Sequence, residues 1–257
     1  MKPPSSVAAR GFIVALTVAN VGARADSGVS QTIAAAVADA ARPASDRERD
    51  ADRKPAEALA FADLRPGEQV AELLPGGGYF TRLFSAAVGA KGRVYAIAPP
   101  RRSQAPAGSP DPAAAVQALA ADPHYSNVTV TVEKLNDFSV SAPVDLVWTS
   151  QNYHDFHNNP ALDVAGLDKA IYKSLKPGGV FIVLDHAAEA GSGFRDTSTL
   201  HRIDPEAVKK EVLSAGFKFE GQSELLRNSK DPYTAPVFDA SIRGKTDQFI
   251  LKFRKPE

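Results

Sequence analysis

At 257 residues, 44% hydrophobic and 23% charged, the chain has the composition of an ordinary water-soluble globular protein, long enough for one large or two small domains. Its basic and acidic residues cancel to a net charge of zero, without the basic excess expected of a nucleic-acid binder. The absence of cysteine excludes disulfides, thiolate metal sites and a cysteine nucleophile.

Lys2 and Arg10 flank the polar start of a segment that turns mostly apolar from Gly11 to Ala23, and Ala23-Arg24-Ala25 offers small residues where a signal peptidase reads them. The pattern predicts a cleavable signal peptide over residues 1–25, too short to persist as a membrane anchor. A mature chain would begin near Asp26, periplasmic or secreted; a buried N-terminal helix is the alternative. Removing Lys2, Arg10 and Arg24 with no acid leaves the remainder mildly acidic, so nucleic acid is not an expected partner.

Residues 26–64 read as a helical extension. Ile33 and Val37 stand four apart in an alanine-rich stretch that Arg42-Pro43 ends. The mixed-sign run Ser45–Lys54 reads as a solvated helical face. Pro55 suits the first turn of a helix with apolar contacts at Leu59, Phe61 and Leu64.

Residues 65–257 read as one α/β domain. Val70–Thr81 predicts a buried strand, a turn through Gly76, Gly77 and Gly78, and a helix beginning at Phe80 or Thr81 and ending at Gly89. A strand that feeds a helix through glycines leaves backbone N–H groups facing a crevice suited to an adenosine-type cofactor. Further strands are expected at Arg93–Ile97, Val128–Val132, Val144–Trp148, Val180–Leu184, Lys218–Leu226 and Asp247–Phe253. Helices are expected at Ala113–Ala121, Leu162–Leu175 and Pro205–Ala215, the last begun by Asp204 and ended by Gly216. Pro99–Pro112 and Thr149–Asn159 read as loops, and Lys176-Pro177-Gly178-Gly179 as a helix stop. The alternation predicts a single doubly wound, mostly parallel sheet with helices on both faces.

This order, with Leu-Lys-Pro-Gly-Gly before a buried strand and two closing strands, resembles the class I S-adenosylmethionine-dependent methyltransferases. The resemblance runs from about Arg65 to the C-terminus and implies a seven-stranded Rossmann-like sheet. Glu72, Gly76 and Gly78 match the family's E-x-x-x-G-x-G. The match implies that Glu72 serves the methionine end of S-adenosylmethionine and that Gly76, Gly77 and Gly78 let the backbone approach it; Asn136-Asp137-Phe138, after the third strand, resembles the family's acidic segment, which implies that Asp137 contacts adenine, a turn residue being the alternative. The chain departs from the family at Leu74, commonly a glycine, and after the second strand, where Ala98-Pro99 stands in place of an acid for the ribose. The segments Asn152–Phe156, Leu200–Asp204 and Ile242–Asp247 are similar to a group of signal-peptide-bearing methyltransferases.

Four of the five histidines fall near expected strand ends. Tyr153, His154, Asp155, Asp185 and His186 can therefore converge at the carboxyl edge of the sheet. His154 or His186 can take a proton from an acceptor, with Asp155 or Asp185 orienting the imidazole. Structural loop residues are the alternative. His154, His157, His186, Asp185 and His201 also have metal-ligand chemistry, although no metal site is assigned. Arg202, Arg227, Arg243 and Lys245 read as partners of Asp204, Asp231 and Asp247, or as contacts for a substrate anion. The leading expectation is methyl transfer from S-adenosylmethionine to a small-molecule acceptor by an exported protein. The alternatives are a non-catalytic binding protein on the same fold and a metal-assisted hydrolase.

Overall fold

In the computed structural model, which describes residues 1, 31–103 and 105–257, one sheet has the strand order β3-β2-β1-β4-β5-β7-β6. Its strands are β1 (Gln69–Leu73), β2 (Arg93–Ala98), β3 (Val128–Val132), β4 (Val144–Ser150), β5 (Leu175–His186), β6 (Lys218–Ser223) and β7 (Gln248–Arg254). β1 to β5 are parallel; β7 is antiparallel to both β5 and β6. This is the seven-stranded, mostly parallel sheet expected from the sequence. The signal-peptide reading lies outside the described residues, and no described helix is long and apolar enough to cross a membrane.

The near-continuous apolar strands are explained by two cores, one on each face. Successive side chains of β1 alternate between them: Val70 joins the core under helix Tyr79–Val88, whereas Ala71 and Leu73 join the core under helices Val164–Ser174 and Pro205–Ser214. The first core centres on Trp148, fully buried, with Phe80 at 4.8 Å and Phe84 at 5.4 Å between ring centroids. Burying each such ring contributes about 2–3 kcal/mol. By the same alternation Glu72 faces the Tyr79–Val88 helix, an acid placed deliberately on an otherwise apolar face.

Local signals set the helix ends. The Asp204 carboxylate accepts from the Glu206 N–H at 2.9 Å, and Asp163 accepts from Gly166 at 3.0 Å. Gly89, at φ 66°, closes the helix that opens at Gly78. Three expectations are corrected. Lys176–Gly179 does not sit outside the sheet but lies within β5, across a register shift against β4 between Val144 and Leu146. Thr149 and Ser150 complete β4, and Tyr153–Phe156 forms one helical turn inside the expected loop. The charged run Ser45–Lys54 is only in part a solvated face: Arg47, Glu48, Arg49, Asp52 and Lys54 are exposed, but Asp46 is buried and pairs at 2.9 Å with Arg82 in the helix after the glycines.

Candidate active site at the carboxyl edge of the sheet

The chain reverses sharply after β1. Leu74, where the family commonly carries glycine, adopts φ 53°, a left-handed conformation that costs a non-glycine residue about 1–2 kcal/mol. Two hydrogen bonds hold it there: its N–H donates to Ile97 O at 2.9 Å, and its carbonyl accepts from Asn152 Nδ2 at 3.2 Å. The three glycines then divide the work. At Gly78, φ is 79°, a left-handed conformation that strains any residue with a Cβ, so the backbone itself calls for glycine here. At Gly76 and Gly77 a Cβ would meet nothing within 4 Å, and both residues are exposed. A solvent-open cradle therefore lies directly above β1.

Beneath it the Glu72 carboxylate is 3% exposed and accepts from Thr81 Oγ1 at 2.5 Å. Burial pushes its pKa up to about 7, against the Thr81 hydrogen bond and the charges of Arg53 and Arg82. Arg53 comes from the N-terminal extension. Its guanidinium lies 4.6 Å from the Tyr79 ring centroid and donates to Gln151 Oε1 at 2.7 Å. Asp50 fastens the extension from below, accepting from the Tyr79 hydroxyl at 2.7 Å and pairing with fully buried Arg42. The extension thus forms a wall of the crevice.

Beside β1 the sheet departs from the family pattern. The end of β2 carries no acid, but the backbone N–H of Glu133 donates to Ala98 O at 3.1 Å. Glu133 follows directly on β3, and its carboxylate accepts from the Ser139 N–H at 3.3 Å. Asp137 is exposed on the short turn Leu135–Asp137, and its charge is felt at Glu133.

At the ends of β4 and β5 the histidines gather around Asp185, which is fully buried. Asp185 Oδ1 meets His154 Nδ1 at 2.8 Å, and Oδ2 accepts from the His154 backbone N–H at 2.8 Å. This fixes the ring with a proton on Nδ1 and turns Nε2 toward Asp155. Burial opposes the charge on both groups, yet each supports the other: His154 is raised and Asp185 lowered from their ordinary values. His186 is neutral, because burial drives its pKa down to about 4; its Nδ1 lies 2.7 Å from Thr246 Oγ1. His154 Nε2 faces Asp155 Oδ1 at 3.4 Å, and His201 Nδ1 reaches the same oxygen at 3.5 Å.

Tyr153 does not join this group. Its ring is buried in the opposite core and its hydroxyl touches Asp168 Oδ2 at 2.8 Å and Glu211 Oε2 at 3.0 Å. One hydroxyl proton serves only one acceptor, so one of the acids must carry a proton. Asp168 does, since burial and the Glu211 charge raise its pKa to about 8. Tyr153→Phe is therefore expected to lower stability by about 1–3 kcal/mol in urea unfolding while leaving ligand binding unchanged. Lost binding at unchanged stability would return Tyr153 to the site. His157 is likewise structural, stacked on Phe194 at 4.0 Å and bonded to Glu211 at 3.0 Å.

The arginines are mostly spent internally. Arg202 pairs with Asp231 and Arg227 with Asp247, while Asp204 caps a helix. Among the described residues Arg243 and Lys245 have no acidic partner. Two hollows lie elsewhere. One of about 230 Å³, lined by Glu68, Asp145 and Arg254, is at the opposite edge of the sheet. The other, about 900 Å³, is a groove along helices Val164–Ser174 and Pro205–Ser214. The crevice side of an open α/β sheet is the carboxyl edge, where the glycines and histidines are.

No protein-family model and no curated protein matches the chain. Among solved structures it is similar to an S-adenosylmethionine-dependent methyltransferase from Aquifex aeolicus, at 18% identity over 77% of this chain and 88% of that one, with a TM-score of 0.51. It is also similar to N-methyltransferase NodS from Bradyrhizobium japonicum WM9, at 14% identity over 82% and 97% of the two chains and a TM-score of 0.53. The glycopeptide N-methyltransferase MtfA, solved with S-adenosylmethionine, matches at 18% identity over 78% and 86%, with a TM-score of 0.52. Together they define the class: a Rossmann-like methyltransferase fold. At these identities the likeness carries the fold and not the activity.

Proposed function

We propose that the protein transfers a methyl group from S-adenosylmethionine to a small-molecule acceptor. The observation that carries this reading is the solvent-open cradle at Gly76 and Gly77 with the buried Glu72 carboxylate beneath it. A carboxylate with one hydrogen-bond donor of its own suits the cationic methionine end of the cofactor, and the glycines give the backbone room to approach. On this reading Glu133 accepts from the ribose hydroxyls and Asp137 contacts the adenine. The cofactor supplies the electrophilic methyl; the chain's part is to place the acceptor in line with it. His154, held by Asp185, with Asp155 and His186 beside it, forms the acceptor end across β4 from the cradle.

The test is calorimetric titration of the full chain with S-adenosylmethionine, alongside Gly77→Val. Gly77 has an ordinary backbone conformation and no neighbour within 4 Å of a Cβ, so the variant should fold with an unchanged melting temperature. It should lose at least tenfold in affinity because the valine fills the cradle. No binding by the unsubstituted protein at about millimolar ligand overturns the proposal.

Arg53 favours a second reading, a binding protein that keeps the fold without methyl transfer, because its guanidinium already supplies positive charge to Glu72. On that reading only Arg53→Ala, and not the unsubstituted chain, binds the cofactor. Export is part of the same proposal. It rests on Lys2, Arg10, the apolar run Gly11–Ala23 and Ala23-Arg24-Ala25, and is checked by sequencing the N-terminus of the secreted chain.

A further inference from the structure

Three ligand-type atoms at the acceptor end point at one another: Nε2 of His154, Oδ1 of Asp155 and Nδ1 of His201, all within 4.8 Å. Two of the separations, 3.4 Å and 3.5 Å, are too long for good hydrogen bonds. They match the spacing of about 3.3–3.4 Å between ligand atoms arranged tetrahedrally around a cation at about 2.0–2.1 Å.

The surroundings are those of a metal centre. The Asp185 carboxylate holds His154 Nδ1–H, which orients Nε2 as the lone-pair atom, the carboxylate–histidine–metal arrangement. Asn158 Nδ2 steadies the Asp155 oxygen at 3.2 Å. His201 Nδ1 is sealed from solvent and has no hydrogen-bond partner, and leaving such a nitrogen buried and unsatisfied is destabilising. A cation would satisfy it. The Asp155 side chain is 45% and that of His201 30% exposed, so an ion can enter.

We propose that His154, Asp155 and His201 bind one divalent transition-metal cation of the zinc class, with a fourth position open. Two imidazoles and a carboxylate select Zn²⁺, Co²⁺ or Fe²⁺ over hard all-oxygen cations such as Mg²⁺ and Ca²⁺. A hydroxyl or water in the open position would have its pKa lowered. Only that last consequence for an acceptor rests on the methyl-transfer reading.

The experiment uses the full chain, stripped with a chelator and titrated with Co²⁺ as a spectroscopic probe and Zn²⁺ by calorimetry, without cofactor. One cation per chain should bind, with the intense visible absorption of low-coordinate cobalt. His201→Ala and Asp155→Ala should each weaken binding at least 100-fold, and Asp185→Asn about 10–100-fold. His124→Ala, which removes an exposed histidine paired with Asp39, should bind as the unsubstituted chain does. Folding of each variant is checked by circular dichroism; Asp155 and His201 are partly exposed and should tolerate replacement. Failure to take up either cation at about millimolar concentration overturns the proposal, as does undiminished binding by both His201→Ala and Asp155→Ala. Because no cofactor is present, this outcome is independent of the cradle at Gly77.

Discussion

Asp231→Ala is expected to cost about 3–5 kcal/mol of folding stability, because it strands a fully buried guanidinium. Arg202 and Asp231 have side chains with no exposure and meet in a two-pronged pair at 2.8 Å and 3.1 Å. Arg202 also donates to the carbonyls of Ala187 and Ala235, so it has no route to water when its partner goes. Asp231 in turn accepts the backbone N–H groups of Tyr233 and Asp247 at 2.9 Å and 2.6 Å, and these too would be orphaned. At about 2–4 °C per kcal/mol for a chain of this size, the melting temperature should fall by roughly 6–20 °C. A thermal melt showing a shift of under about 3 °C would refute this. Replacing both partners by apolar residues should cost less than the single change, since no charge is then left behind. The pair ties the segment carrying His201 to the segment entering β7, so its loss should also loosen the histidine cluster.

The strands were legible because burial on both faces writes an apolar run that few other structures produce, as in Val180–Leu184. The glycine turn was legible for a related reason: Gly76, Gly77 and Gly78 follow an acid at a strand end, and the chemistry is local. What stayed hidden depends on contacts between distant residues. Asp46 and Arg82 are far apart in sequence, and a mixed-sign run reads alike whether it faces water or covers another helix. The sequence also places Tyr153 and His154 side by side without saying that one helical turn sends them to opposite partners, Asp168 and Asp185. Glu133 is a further acid that the sequence does not single out beside Asp137. The signal was an acid immediately after a β-branched strand, but only the backbone hydrogen bond to Ala98 shows that this residue lies beside the end of β2. Asp185 was foreseen as an orienting acid, and the pairing of Arg202 with Asp231 was among the expected alternatives. His201 converges with His154 and Asp155 through the intervening loop, a closure that spacing alone does not encode.

Glu72→Gln should change stability and binding in opposite directions. In the folded chain the carboxyl titrates near 7 instead of its usual 4.5, because burial penalises the ionised form. A raised folded-state pKa means that the folded protein holds the proton more tightly than the unfolded chain between about pH 4.5 and 7. Stability from this group is therefore complete below the lower value and is lost as the pH rises through the upper one. The full loss is about 3 kcal/mol above pH 7. Glutamine keeps the carbonyl for the Thr81 hydroxyl and carries no charge, so the variant should match the unsubstituted chain at pH 4.5 and exceed it by up to about 3 kcal/mol at pH 8. Denaturant unfolding at the two pH values reads this difference. Cofactor binding should run the other way. A cationic methionine end needs the ionised carboxylate, so affinity in the unsubstituted chain should fall about tenfold per pH unit below 7, whereas Glu72→Gln should bind weakly at every pH. A variant that gained no stability at pH 8 would show that the carboxylate is already well solvated or paired. One that kept full, pH-independent affinity would remove Glu72 from the cofactor site. The carboxylate that suits this crevice for a cation is thus maintained at a cost to the fold, and ligand binding is what would offset it.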